Sequence, residues 1–295
     1  MQRVEIEIAR LIKEIDYDEV TRLFGMLSGG KRLRAKLILK IAPEHEKAPL
    51  LAAIVELIHG ASLLHDDVID DADTRRGVAS VNATEDSKTA VMLGDILYSK
   101  AFTELVEFDR DVAQSIASSV TALSKGEMQD VKMAEEFNSD EEKYLDMLYL
   151  KTATLIEAAA YASALLVGKD ASKYGIYGRN LGLSFQIIDD ILDITADAQT
   201  LGKPAMNDFI EGKCTLPYIY LYKALDDEDR AKLVSLHTKQ TDAQEVLWIK
   251  QKMAQHKSIE ESYLLAQKLS DEAMQAVQGD DELIAILQTM IKRSY

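Results

Sequence analysis

Apolar residues in this chain recur at spacings of three and four positions rather than in alternation. Ile54, Leu57, Ile58, Ala61 and Leu64 make one such series, and Leu181, Phe185, Ile188 and Leu192 another. That is the period of an α-helix packed on one face. It predicts helices near residues 3–15, 31–42, 46–70, 87–107, 111–136, 140–167, 171–197, 213–224, 227–237, 242–255, 258–278 and 281–293. The run from Leu155 to Val167 carries Glu157 as its single charge, which suits the middle of a bundle. From about residue 226 the pattern turns more polar and amphipathic, which suits outer helices.

Punctuation supports the same reading. The four prolines stand at 43, 49, 204 and 217, so residues 50–203 contain none. Turn-rich β structure is hard to build from such a stretch, whereas long helices are not. No Pro/Gly/Ser-rich linker, low-complexity stretch or short-period repeat divides the chain. The expectation is one all-α domain, a helical bundle spanning residues 1–295.

Composition narrows the partners. With 34 Lys+Arg against 50 Asp+Glu the formal charge is −16, which argues against nucleic acid or an anionic membrane as the main partner. Cys214 is the only cysteine, so neither a disulfide framework nor a cysteine-based zinc site is available. The absence of an 18-residue uncharged apolar run and of a basic-then-apolar start predicts no transmembrane segment and a cytoplasmic protein.

Against this acidic background two segments stand out, Asp66-Asp67-Val68-Ile69-Asp70 and Asp189-Asp190-Ile191-Leu192-Asp193, 123 positions apart. In each DDxxD the first and last aspartates lie one turn apart on one helix face, where like charges repel. A cation is the natural compensation, and magnesium accepts one or two carboxylates together with phosphate oxygens and water. A solvated acidic patch is the plain alternative. The segments 140–142, 226–229 and 280–282 are patches of that kind, placed where helices begin and acids favour the dipole. The two DDxxD clusters differ because each follows a long apolar run within its own helix.

Basic residues are scarce, so their positions inform. Ser28-Gly29-Gly30-Lys31-Arg32-Leu33-Arg34 reads as a turn entering a helix, an anion site with Lys31 and Arg34 at i and i+3. Arg75-Arg76 follows the first cluster closely, and Lys203 and Lys213 follow the second. Lys151 is the only cation between Lys143 and Lys169 and has Thr152 beside it; a snorkelling surface lysine is the alternative. Gln186, Asp189 and Asp193 share a helix face, as do His59 and Asp66. Two carboxylate clusters, isolated cations and an apolar interior fit a phosphorylated lipid, with metals and bases for the head and a greasy tunnel for the tail.

These residues resemble the trans-isoprenyl diphosphate synthases, the polyprenyl synthetase family. The likeness rests on GGKRLR at 29–34, ELIHGASLLHDDVIDDADTRRG at 56–77, GD at 94–95, KT at 151–152, FQIIDDILD at 185–193 and LGKP…ND…EGKCTLP across 201–217. Beyond Pro217 the likeness is only that the chain is helical. Two positions depart: Ala35 stands where the family usually has proline, and Met206 where a glycine often precedes the Asn-Asp pair.

The resemblance implies an isoprenoid-synthase-type bundle around a large central cavity, usually a homodimer, working with Mg2+. It implies that Asp66, Asp70 and Asp189 hold the magnesium ions, supported by Asp67, Asp190 and Asp193. Arg75, Lys151, Thr152, Gln186, Lys203 and Lys213 would surround the allylic diphosphate, and Lys31, Arg34, His59 and Arg76 would bind isopentenyl diphosphate. The reaction implied is head-to-tail (1'-4) condensation of the two. In this family bulky aromatics one turn before the first DDxxD block the growing tail. Here Ala61 and Ser62 stand there, one turn being about 5.4 Å, so a long-chain all-trans product is expected over a farnesyl or geranylgeranyl one. Met128 and Val131 are candidates for the tunnel floor, and transient membrane contact would release a lipidic product.

Three other readings fit less of the chain. An HD-type phosphohydrolase would use His65-Asp66, but five histidines are few for its ligand set, and the second cluster would be unexplained. A class I terpene cyclase normally carries a different second metal motif. A silent subunit of a heteromeric synthase usually lacks one cluster, and both are complete here.

Overall fold

A computed structural model of the chain describes residues 1–27, 30, 32–75, 77–196 and 206–291. It is all-α. Helices run over Gln2–Glu14 (α1), Asp18–Phe24 (α2), Leu33–Ile41 (α3), Ala48–Ile69 (α4), Val81–Thr84 (α5), Ser87–Leu105 (α6), Arg110–Met133 (α7) and Glu141–Leu148 (α8). They continue over Thr154–Leu166 (α9), Ala171–Thr195 (α10), Asn207–Ile210 (α11), Leu216–Ala224 (α12), Asp227–Leu236 (α13), Ala243–His256 (α14), Ser258–Ala276 (α15) and Asp281–Ile291 (α16). Among the described residues the only strands are an antiparallel pair, Thr74–Arg75 (β1) and Val78–Ala79 (β2).

The acidic patches read as helix starts are helix starts. Asp140 accepts from the Glu142 and Lys143 amides that begin α8, Asp226 from the Asp229 amide in α13, and Asp280 from the Leu283 amide in α16. Each satisfies backbone donors the helix cannot. Where the periodicity runs through 140–167, the chain instead inserts a π-turn, Tyr149–Ala153, between α8 and α9. Such turns add a residue to the helical ladder and are frequent at functional sites.

The described chain forms two compact units, Met1–Val120 with Ala158–Gly175, and Thr121–Glu157 with Ile176–Tyr295. In the first, α4 is central, packed by α1, α3 and α6. Leu11, Leu37, Ile38, Leu51, Ile54, Leu57, Ile58 and Leu64 are at most 0% exposed there. Its 22 residues and apolar character give α4 the length and hydropathy to cross a membrane, and it is the only such helix among the described residues. It is instead the core of this unit and is mostly buried.

In the second unit Tyr144, Met147, Leu148, Leu183, Ile187 and Ile191 pack with Leu216, Ile219 and Ala266. A neighbouring cluster joins Ile194, Met206, Phe209 and Tyr218 to Leu221, Leu233 and Met253. In the part of α7 that belongs to this unit, Leu123 is buried, whereas Met128 and Val131 are exposed. Their exposure offers no support for the expected role as a tunnel floor.

Candidate active site

At the end of α4 the three aspartates of the first cluster divide. Asp66 is half-buried and Asp70 exposed, while Asp67 is buried at 3% exposure and takes two bonds from the guanidinium of Arg75, from Nε at 2.7 Å and Nη2 at 2.6 Å. Asn82 donates to the carbonyls of Asp67 at 3.2 Å and Ala72 at 3.0 Å, and the Ser80 hydroxyl donates to Ala72 at 2.6 Å. The β1–β2 hairpin is thereby tied to α4. Arg75, expected as a diphosphate ligand, is held through Asp67.

In the basic turn Arg32 adopts a left-handed conformation (φ 50°). Its guanidinium pairs with Glu56 at 3.1 Å and Glu5 at 3.2 Å. The buried Glu56 also accepts from the Ala35 amide at 3.1 Å. Arg32 is thus an anchor, and Arg34 lies half-buried in the first turn of α3. His59 is half-buried on α4, and the Ser62 hydroxyl donates to its carbonyl at 2.9 Å. Ala61 and Ser62 are buried. Lys31, Arg76 and Lys203 lie outside the described residues.

His65, half of the HD dipeptide, approaches the Val91 carbonyl at 3.2 Å and Asp95 at 3.5 Å. Gly94 makes room for it, because a Cβ there would run into the ring, 2.6 Å from its Cδ2 and closer still to Nε2. Among the described residues, no three His, Cys, Asp or Glu side chains converge to hold an ion by themselves.

The second cluster divides in the same way. Asp189 is exposed, but Asp190 is buried and accepts from the Tyr144 hydroxyl and from Gln186 Nε2 at 3.2 Å. Burial, and then the charge of Asp208, push the Asp190 carboxyl well above its ordinary range; the two donors oppose this. Asp193 is buried as well. Its carboxylate accepts the Asp208 amide at 3.2 Å and its carbonyl the Met206 amide at 2.8 Å, which fixes the start of α11. Lys213 sits 3.0 Å from Glu211, and its amide donates to the Asp208 carbonyl at 2.7 Å.

Thr152 Oγ1 lies 3.5 Å from Gln186 Oε1, which brings the KT pair to the second cluster's helix. Lys151 Nζ is 2.5 Å from Asp130 and 2.9 Å from Glu127. Burial disfavours its charge, but these carboxylates outweigh burial and hold the ammonium above its usual pKa. It is not a lysine snorkelling to solvent.

Sequence reasoning overlooked Glu56, Glu127, Asp130, Tyr144 and Asp208. One signal for two of them was present: Gly126 in the middle of a long helix costs about 1 kcal/mol relative to alanine and so marks a close approach.

The Polyprenyl synthetase family profile matches residues 19–254, which reaches well past Pro217, where the recognised motifs end. A short chain isoprenyl diphosphate synthase from Methanothermobacter thermautotrophicus is 36% identical over 71% of this chain and 68% of its own. An octaprenyl diphosphate synthase from Haemophilus influenzae is 32% identical over 100% of this chain and 94% of its own. The crystal structure of octaprenyl pyrophosphate synthase from Helicobacter pylori superposes with a TM-score of 0.92 at 44% identity, covering 99% of this chain and 97% of that one. The molecule is an all-α prenyltransferase. It belongs to the polyprenyl synthetase family.

Proposed function

We propose that this enzyme is a polyprenyl diphosphate synthase, joining isopentenyl diphosphate head-to-tail to an allylic diphosphate and extending it to a long all-trans product. The observation that carries this reading is the division within both clusters. Asp66 is half-buried and Asp70 and Asp189 are exposed, while their motif neighbours Asp67, Asp190 and Asp193 are buried.

That donor set fits magnesium. It is all carboxylate oxygen, too sparse to enclose an ion, and leaves coordination positions for diphosphate and water. Asp66, Asp70 and Asp189 would hold the ions, which when bound neutralise charge on the leaving diphosphate. Arg75, Lys151, Thr152, Gln186, Lys203 and Lys213 surround that diphosphate in this reading, and Lys31, Arg34, His59 and Arg76 hold isopentenyl diphosphate. Fixed cations favour the transition state, because negative charge grows on the leaving oxygens as the allylic C–O bond breaks. The isopentenyl double bond attacks the allylic cation, and a proton leaves to the departing pyrophosphate. Apolar walls keep water from the cation.

Small, buried Ala61 and Ser62 favour a long product over the short-chain reading. A large central cavity within one all-α domain, a homodimer, a cytoplasmic location and transient membrane contact on product release complete the proposal. The test is incubation of the purified protein with magnesium, isopentenyl diphosphate and farnesyl diphosphate, followed by chromatography of the dephosphorylated products. Products beyond geranylgeranyl length support the reading. No product would return the chain to the role of a silent subunit, and a stop at geranylgeranyl length would make it a short-chain enzyme.

A further inference from the structure

A π-turn and a glycine on a regular helix meet at Lys151. The π-turn Tyr149–Ala153 carries this residue, and on α7 Gly126 lets the two backbones approach. A Cβ at Gly126 would stand 2.7 Å from both Lys151 Cα and the Leu150 carbonyl carbon. The close approach brings Glu127 and Asp130, exposed by 6% and 7%, onto one half-buried ammonium.

A purely structural ion pair needs one carboxylate, and replacing a buried ion pair by apolar side chains is often stabilising. Here two buried acids face one lysine, and a π-turn on one element with a glycine on the other brings them there. Asp130 also lines a small cleft with Lys213, Tyr144 and Gly212, so one acid adjoins two cations assigned to the diphosphate. Lysine is a flexible point charge with rotatable donors, and two acceptors on one side fix where the remaining N–H points.

We propose that Glu127 and Asp130 are positioning residues that fix the Lys151 ammonium for the leaving diphosphate. This rests on the reading of Lys151 as a diphosphate-binding group. An ammonium already in place stabilises charge that develops in the transition state without reorganising, whereas a wandering one is less effective there. Loss of the acids therefore appears mainly in kcat.

The test is a double-mutant cycle with Glu127→Gln, Asp130→Asn and Lys151→Ala, read as kcat, as KM for farnesyl diphosphate, and as affinity for inorganic pyrophosphate in magnesium buffer by calorimetry. Glu127→Gln and Asp130→Asn keep side-chain size, and each should lower kcat by about tenfold with KM changed less than threefold. In the Lys151→Ala background these losses should vanish, because the acids act through the lysine. Asp130→Glu should restore part of the rate. If the acid variants lower kcat equally with and without Lys151, or change only the melting temperature, positioning is refuted. If Lys151→Ala leaves kcat, KM and pyrophosphate affinity at wild-type values, the assignment of Lys151 itself is wrong and the proposal falls with it.

Discussion

Two nitrogens of Arg75, Nε at 2.7 Å and Nη2 at 2.6 Å, meet the same oxygen, Oδ1 of Asp67. The second aspartate of the first cluster therefore has a full-time partner and holds a hairpin arginine against the end of α4. Hydrogen bonds to a charged group contribute about 1.5–3 kcal/mol each when the geometry is good. Asp67→Asn should lower the melting temperature by several degrees and raise KM for the allylic substrate, because Arg75 loses its anchor. Calorimetry and steady-state kinetics on the same preparation check both.

The aspartates should separate into two behaviours. Asp66→Ala and Asp189→Ala change residues that are not buried, so turnover should fall by roughly a hundredfold or more while the melting temperature changes by only a few degrees. Asp190→Ala strips the buried Tyr144 hydroxyl of its acceptor, and an unsatisfied buried group costs about 1–3 kcal/mol. Near-normal turnover in Asp66→Ala or Asp189→Ala would rule out their role at the metal.

Ser62→Phe places an aromatic ring one turn before the first cluster, at a position only 5% exposed in the native protein. The product distribution should shift to shorter chains, while the first condensation is slowed far less. Chromatography of dephosphorylated products reads this directly. An unchanged chain length would mean that the tail does not pass Ser62.

Ala35→Pro should destabilise the protein by about 1–2 kcal/mol. Proline has no amide hydrogen, so Glu56 loses the donor that it has at 3.1 Å from Ala35 and keeps only Arg32. Denaturant unfolding of Ala35→Pro against wild type measures the difference. A neutral or stabilising result would show that the Glu56–Arg32 pair suffices.

Helix type and approximate position were legible because buried helix faces impose a three-to-four spacing on apolar residues. Leu51, Ile54, Leu57 and Ile58 follow that rule, and α4 emerged within two residues of its expected ends. The π-turn was not legible, since Tyr149–Ala153 continues an ordinary helical pattern and its added residue arises from packing. The roles of the basic residues depended equally on the third dimension. Nothing in GGKRLR distinguishes Arg32, which anchors the turn on Glu56, from Arg34. The two departures from the family pattern became intelligible only in context. Ala35 supplies a backbone donor that proline lacks. Met206 takes the left-handed conformation (φ 64°) that glycine adopts freely, at a cost of about 1–2 kcal/mol, while its side chain is fully buried beside Phe209 and Tyr218, which offsets that cost.

The apolar length of α4 has a consequence for biosynthesis. Its partners α1 and α3 leave the ribosome before it, but α6 follows, and the intervening residues take roughly two to seven seconds to add. Through that interval a 22-residue helix, 18 residues of which have a mean hydropathy of 1.5, lacks the partner that completes its burial. Apolar surface exposed in this way during synthesis is prone to aggregate and is what chaperones cover. Slowed translation between Asp70 and Leu105 would prolong that exposure, and codon choice there should govern the yield of soluble enzyme.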